Sequence, residues 1–209
     1  MAEGNLALKV VLVAVLLAVV MIAFTFAPKP VLNTPLTGGE AEQLARNDAS
    51  LIFPTAELSA LSTTPLPNHR WKVRLKISLN THAACPQVYI REYELLPILH
   101  REEQVVKGCI VSAGPLVYPE EALLKSLSAP AAKSAADVGG YGCAVRANNL
   151  AGLTGQCIAA QPSLRNTVNQ LPADAWVASW IPPANGTIVN VGLDKEGRIL
   201  LVESTPVGN

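Results

Sequence analysis

The sequence carries little charge and no net charge. Only 15% of its 209 residues are charged, and 16 basic residues balance 16 acidic ones. The balance persists after residue 27, because the first 27 residues contain one charge of each sign, Glu3 and Lys9. A neutral chain has no electrostatic attraction to the phosphates of nucleic acid or to an anionic membrane surface. We therefore expect no nucleic-acid partner.

The sequence also lacks the usual signatures of catalysis and metal binding. It has no Gly-x-Ser-x-Gly turn, no Ser-x-x-Lys pair and no Cys-x-x-Cys. His100 precedes Glu102 and Glu103, but no second histidine stands four residues away, as two metal ligands on one helix face require. We expect no cofactor, no metal and no enzymatic activity. An envelope hydrolase with an unrecognised site is the enzymatic alternative.

A long apolar run lies near the amino terminus. Residues 10–27 read VVLVAVLLAVVMIAFTFA, and residues 6–8 extend the run toward the ~20 residues that cross a bilayer core. The run is longer than the about 7–15 residues of a cleaved signal peptide, and Thr25-Phe26-Ala27 before Pro28 is a poor cleavage site. We therefore expect a cytoplasmic tail at 1–9 and an uncleaved signal anchor at 10–27, with the lipid bilayer as its partner.

Four cysteines follow the apolar run: Cys85, Cys109, Cys143 and Cys157. Their even number and wide spacing favour two disulfides over a metal site, with free buried thiols as the alternative. Because the charges that flank residues 10–27 hardly orient the span, the cysteines are what place the body outside the cytoplasm. Of the three possible pairings, the sequential one closes the smallest loops, and each bridge would then stabilise the fold by ~3 kcal/mol.

Residues 28–67 contain six prolines, which predict a stalk between the anchor and a folded body at 68–209. Two short helices, at 40–46 and 56–61, are expected to interrupt this stalk. A pilin-like chain is the alternative for this end of the protein. It would need an acidic residue where Lys9 stands and a long helix that the prolines would stop.

The first half of the body, 68–112, is expected to be a sheet. Apolar and polar residues alternate in 71–79, WKVRLKISL, which is typical of a half-buried strand. A second strand at 87–96 pairs with it antiparallel if residue numbers sum to about 166, so that Lys72 faces Glu94 and Arg74 faces Glu92. Ion pairs across the strands then explain the basic stripe better than an anion-binding surface does. A third strand is expected at 105–112.

The second half, 118–209, mixes helices and strands. Pro119 and two acidic residues predict a helix over 118–127, followed by a loop over 128–142 and a helix over 162–171. Hairpin turns separate three strands at 175–180, 187–193 and 198–204. The body is therefore expected to be an α+β domain of antiparallel sheet with two or more short helices.

Three residues of this half are candidates for surface roles. Trp176 and Trp180 lie on one face of their strand, either in the core or as an exposed aromatic contact patch. Asn185, in Asn-Gly-Thr, is a candidate glycosylation site in an exposed turn.

The end of the chain resembles a PepSY-type module. A helix with Glu-Glu-Ala at 120–122 precedes a hairpin over 189–200, with Asp194 and Gly197 at its turn. An insertion of nearly fifty residues between this helix and the strand expected at 175–180 contains two cysteines and departs from the family pattern. PepSY modules are generally non-enzymatic and contact other proteins, so the resemblance implies a binding role. The Tyr118-Pro119-x-x-Ala122 helix start also resembles the C-terminal domain of TonB-type energy transducers.

We therefore expect a single-pass protein of the cell membrane with a cytoplasmic amino terminus and an extracytoplasmic body. Its expected work is non-catalytic: to bind a protein partner or to support a membrane or envelope complex. A pilin-like or TonB-like envelope component is the structural alternative to this binding role.

Overall fold

The computed structural model describes residues 35–95, 97–111, 114–183 and 186–206. Four expectations fall wholly or partly outside them: the cytoplasmic tail at 1–9, the anchor at 10–27, the start of the stalk, and the glycosylation site Asn185. None of the described helices is both long and apolar enough to cross a membrane. All the elements below belong to the unit Leu36–Asn209.

The described residues form an α+β fold of antiparallel sheets and four helices. The elements are α1 (Gly38–Ile52), β1 (Glu57–Leu66), β2 (Arg70–Leu79), β3 (Gln87–Leu95), β4 (Leu99–Lys107), β5 (Ile110–Val111), α2 (Pro119–Ser126), α3 (Pro130–Asp137), β6 (Tyr141–Arg146), α4 (Gln161–Val168), β7 (Trp176–Ile181), β8 (Thr187–Leu193) and β9 (Ile199–Pro206). Two 3-10 turns, Leu150–Gly152 and Gly155–Ala160, precede α4.

The first sheet has the strand order β1-β2-β3-β4-β5. The predicted register of β2 against β3 is confirmed, since Lys72 lies opposite Glu94 and Arg74 opposite Glu92. The ion pair of Lys72 runs diagonally, however, with its Nζ 2.7 Å from a carboxylate oxygen of Glu92. The long lysine side chain reaches this diagonal neighbour on the same face of the sheet.

The prediction of a third strand at 105–112 is wrong. Two strands, β4 and β5, occupy this part of the chain, and a turn at Gly108 and Cys109 joins them. Both turn residues have positive φ, 58° and 61°. That conformation reverses the chain direction where an unbroken strand was expected.

The prediction of a stalk is wrong for residues 38–66, which fold onto the first sheet as α1 and β1. The short helix expected at 40–46 lies within α1, whereas the one expected at 56–61 is part of β1. A capping box of Thr37 and Glu40 begins α1. The helix packs on the sheet through the fully buried Ala41, Ala45 and Ala49. The folded body therefore begins near residue 36, not at 68.

The second sheet has the order β6-β7-β8-β9. The three C-terminal strands and the helices expected at 118–127 and 162–171 are confirmed to within about three residues at their ends. The loop expected at 128–142 is wrong, because this segment forms α3 and the start of β6. Pro130 at the first turn of α3 suits a helix start, and buried Ala132 and Ala136 lie on its inner face.

The first half of the body therefore includes α1 and β1, which precede residue 68, and the two halves have a similar plan. Each begins with a helix and continues as an antiparallel meander of at least four strands. One face of the second sheet packs on α2 and α3, around Trp176 and Trp180. The other face packs on α4, through Leu164 against Val177.

Candidate functional site

Helix α2 lies between the two sheets. Leu123 on this helix belongs to the core of the second sheet, whereas Leu124 packs with Val88 and Val106 of the first sheet. Helix α2 therefore packs on both sheets. It forms a seam between the two halves.

A buried ion pair crosses this seam. Glu120, in the first turn of α2, is fully buried, and its Oε1 accepts hydrogen bonds from Lys76 Nζ at 2.8 Å and Ser78 Oγ at 2.8 Å. Lys76 and Ser78 are on β2, and only 13% of the Lys76 side chain is exposed. A buried carboxylate is stable only when such donors compensate for its lost hydration. The arrangement therefore fixes α2 to the first sheet.

The β2–β3 loop places His82 against the edge strand β6. The Gly142 amide donates to the His82 carbonyl at 2.8 Å. Nδ1 of the His82 ring lies 2.7 Å from the Gly142 carbonyl oxygen. Because a carbonyl only accepts, Nδ1 carries the proton. The ring also stacks on Tyr141, with centroids 4.1 Å apart.

A cavity of about 550 Å³ opens beside His82. Glu57 is the one carboxylate among its described lining residues, and its Oε1 lies 3.9 Å from His82 Nε2. Burial, and then the negative charge of Glu57, raises the pKa of the Tyr141 phenol. The cavity thus gathers an imidazole, a phenol and a carboxylate at the seam.

This geometry does not favour hydrolysis. Ser78 also lines the cavity, yet its hydroxyl donates to Glu120 and no hydrogen bond joins it to His82 in the described structure. A serine nucleophile needs a base within hydrogen-bonding reach. The cavity therefore brings together a histidine, a carboxylate and a serine without forming a triad.

The expected disulfides are confirmed, in the sequential pairing. Cys85–Cys109 ties the β2–β3 loop to the β4–β5 turn. Cys143–Cys157 ties β6 to the second 3-10 turn, and no free cysteine is left. A ring nitrogen of His82 and the sulfurs of Cys143 and Cys157 all lie within 4.8 Å of one another. The sequence analysis missed this group, because His82 is distant in sequence from both of these cysteines.

The two candidate tryptophans do not form a contact patch. Trp176 is 4% exposed and Trp180 fully buried. Their indole N–H groups donate to the Leu116 carbonyl at 3.3 Å and to Ser126 Oγ at 2.9 Å. Both tryptophans are therefore core residues, which is one of the two roles that the sequence left open for them.

Three partly exposed apolar side chains lie together on β9, at the edge of the second sheet. Ile199, Leu200 and Val202 are 39%, 47% and 41% exposed. No described strand pairs with the outer edge of β9. The single charged side chain of this strand, Glu203, accepts hydrogen bonds from Thr167 and Gln170 and is thus already engaged. The edge therefore lacks the free charges that usually protect such strands.

A groove of about 560 Å³ runs beside this edge, between α3 and the β7–β8 turn. Val138, 65% exposed, and Ser204 of β9 are among its walls. None of its described lining residues is charged. Ser204 and Val202 are two residues apart and share a face, so a strand added to β9 would direct alternate side chains toward the groove.

The comparisons with known proteins yield no relative. No family model matches the sequence, and no curated protein and no solved structure shows significant similarity to it. The geometry of the β9 edge and of the seam is therefore the basis for assigning a function.

Proposed function

We propose that this chain is a single-pass, membrane-anchored protein whose extracytoplasmic body binds a protein partner through the edge of β9. The occupant is an extended, uncharged segment of the partner, which adds a strand to the second sheet. The observation that carries the proposal is an eight-residue edge strand with exposed Leu200 and Val202, beside a groove whose described lining contains no charged residue.

The physical argument rests on the backbone of the edge strand. An unpaired strand presents a row of amide and carbonyl groups that a second strand can satisfy. Main-chain hydrogen bonds would supply affinity, and the groove beside Val138 would select side chains. The apolar surface of Leu200 and Val202 favours a partner segment without charge, because a charge buried there would have no counterpart.

The other edges of the two sheets are less suited to strand addition. Strand β1 begins with Glu57, a charged side chain that is 64% exposed, whereas the charged side chain of β9, Glu203, is already hydrogen-bonded. Strand β6 is covered at Gly142 by the backbone of His82. Strand β5 has only two residues. Edge β9 is therefore the best docking edge of the described structure.

The anchor and the compartment rest on separate observations. Residues 10–27 are uncharged and apolar, and all four cysteines of the body pair as disulfides, which form and persist in oxidising compartments. The packing of α2 on the sheet that contains β8 and β9 is also what a PepSY-like binding module would require. Together these observations support an anchored, extracytoplasmic, non-catalytic role.

Site-specific photocrosslinking in native membranes tests the docking edge. A photoreactive residue replaces Val202 in the full chain, and in a matched control it replaces Leu61 of β1, which is 40% exposed. We expect one defined adduct from position 202, mapped by mass spectrometry to an extended, uncharged segment of another protein. We expect no such adduct from position 61.

The charge variant V202K completes this test. A lysine on the edge should abolish the interaction, whereas L61K should leave it intact. Equal adducts from both positions, or no adduct from position 202, would refute the docking edge. If the only adduct is to a second copy of this chain, the edge of β9 serves self-association, and the proposal of a different protein partner is refuted. Protease digestion of intact cells tests the topology, and protection of the body from external protease would refute it.

A further inference from the structure

The group of His82, Cys143 and Cys157 has the composition of a metal site as well as of a disulfide. Its three donor atoms lie within 4.8 Å of one another and come from the β2–β3 loop, β6 and the second 3-10 turn. The Cys85–Cys109 pair belongs to no such group in the described part of the chain. The histidine therefore distinguishes two otherwise similar disulfides.

We infer that Cys143 and Cys157, once reduced by a dithiol, bind a thiophilic divalent cation of the zinc type together with His82. In the reduction, the dithiol transfers two electrons and two protons, so that the Cys143–Cys157 bond breaks and a disulfide forms in the reductant. Cation binding then releases the two thiol protons. The same sulfurs serve both states, so the disulfide and the metal exclude each other.

The ligand set matches the chemistry of this cation. Two thiolates and an imidazole are common zinc ligands. Histidines that bind metal usually donate their second ring N–H to a carbonyl or carboxylate, which orients the ring. His82 has this arrangement, because Nδ1 donates to the Gly142 carbonyl and leaves Nε2 with its lone pair. The ring is held further by its stacking on Tyr141.

Burial also favours this charge combination. Cys143 and Cys157 are only 2% and 6% exposed, so two thiolates without a cation would lose their hydration uncompensated. A divalent cation neutralises both of them. Glu120, a buried carboxylate that lines the same small cavity as His82 and Cys157, already has its counter-charge in Lys76. The cation and its three protein ligands together are therefore neutral, and the Glu57 carboxylate lies beside them, 3.9 Å from His82 Nε2.

The geometry leaves room for the fourth ligand. Zinc–sulfur bonds of ~2.3 Å in a tetrahedral site hold two sulfurs about 3.8 Å apart, a separation that side-chain rotation can supply. The Cα atoms of Cys143 and Cys157 are 5.7 Å apart. His82 and Cys157 also line a cavity of about 90 Å³, which exceeds the roughly 15 Å³ that a water needs. A water is therefore the expected fourth ligand.

Cobalt binding to the reduced full chain in detergent tests this inference, because tetrahedral cobalt thiolate sites have visible and ultraviolet bands. We expect one Co²⁺ per chain after reduction by a phosphine, displacement by Zn²⁺, and no binding to the oxidised protein. H82A should weaken binding by about tenfold or more. C143S/C157S should abolish the thiolate-to-cobalt band, whereas the matched control C85S/C109S should retain it.

Three results would overturn the inference. They are a reduced wild type without the tetrahedral bands, a band that persists in C143S/C157S, and a cobalt affinity that H82A does not change. Circular dichroism of each variant shows whether it is folded. If C143S/C157S does not fold, H82Q provides the second test, since it removes the imidazole and leaves all four cysteines in place. Wild-type cobalt affinity in H82Q would equally overturn the inference.

Discussion

The ion pair between Lys76 and Glu120 should be the most sensitive electrostatic contact between the two halves. In E120Q the amide keeps the shape of the side chain and an acceptor for Ser78, but Lys76 loses its counter-charge. Removal of one partner from a buried pair costs ~3–5 kcal/mol. Because the Lys76 side chain remains 13% exposed, we expect the lower end, a loss of ~3 kcal/mol in the free energy of unfolding.

Urea denaturation of the full chain in detergent, followed by tryptophan fluorescence, measures this loss. A loss of ~3 kcal/mol corresponds to a fall in melting temperature of about 6–12 °C for a body of this size. The half-buried pair of Lys72 and Glu92, whose side chains are 37% and 29% exposed, provides the control, because K72M should cost less than about 1 kcal/mol. The double variant K76M/E120Q should be more stable than E120Q, since it leaves no unpaired charge at the seam.

Two outcomes would refute this reasoning. The first is an E120Q variant that loses no more stability than K72M, which would mean that water already hydrates the seam. The second is a double variant less stable than E120Q, which would mean that packing of the two side chains matters more than their charges.

Two further predictions concern the first half of the fold. By the loop-entropy estimate for a 24-residue separation, C85S/C109S should lose ~3.5 kcal/mol in the free energy of unfolding. Urea denaturation of the variant and of the wild type measures this difference, and an unchanged free energy of unfolding would contradict the prediction. Burial raises the pKa of Tyr93 to about 12, so its contribution to stability is complete below the usual pKa of 10.0 and is lost as the pH rises toward 12. Ultraviolet titration of tyrosinate, with Y93F as reference, should show this late ionisation, and ionisation of Tyr93 near pH 10 in the folded protein would contradict it.

Local sequence patterns correctly predicted those helices and strands whose residues show regular alternation, complementary charges or a helix-start signal. The alternation in 71–79 predicted a strand, and the opposite charges of Lys72, Arg74, Glu92 and Glu94 predicted the register of β2 against β3. Pro119 and the acidic first turn likewise predicted α2. These signals depend on contacts within one element or between adjacent strands, so the sequence contains them directly.

The stalk prediction was wrong because it took proline content as evidence for a linker. Pro65 lies in β1, an edge strand of the first sheet. A strand at the edge tolerates a residue without an amide hydrogen, because no described strand pairs with its outer side. Helix α1 was only partly predicted, because its buried face consists of Ala41, Ala45 and Ala49. Small side chains produce little hydrophobic periodicity, although they allow the helix to pack closely on a sheet.

The candidate sites depended even more on tertiary contacts. The sequence identified the four cysteines and favoured the disulfides that the structure contains, but not that His82 lies beside one of them. It identified Trp176 and Trp180 as either core or contact residues, and only the packing of α2 and α3 decides for the core. The exposed edge of β9 likewise depends on the order of strands in the sheet.

The sequence by itself determined the apolar run at 10–27, the neutral charge, the cysteines of the body and the antiparallel character of its sheets. Each of these is a property of composition or of local alternation. Only the tertiary structure decided that α2 forms a seam between two sheets, that Glu120 is buried against Lys76, and that β9 is the outermost of the described strands of its sheet. The seam and the ion pair join residues of different elements, 44 positions apart for Lys76 and Glu120, and the position of β9 depends on the order of the strands, so no local pattern records any of them.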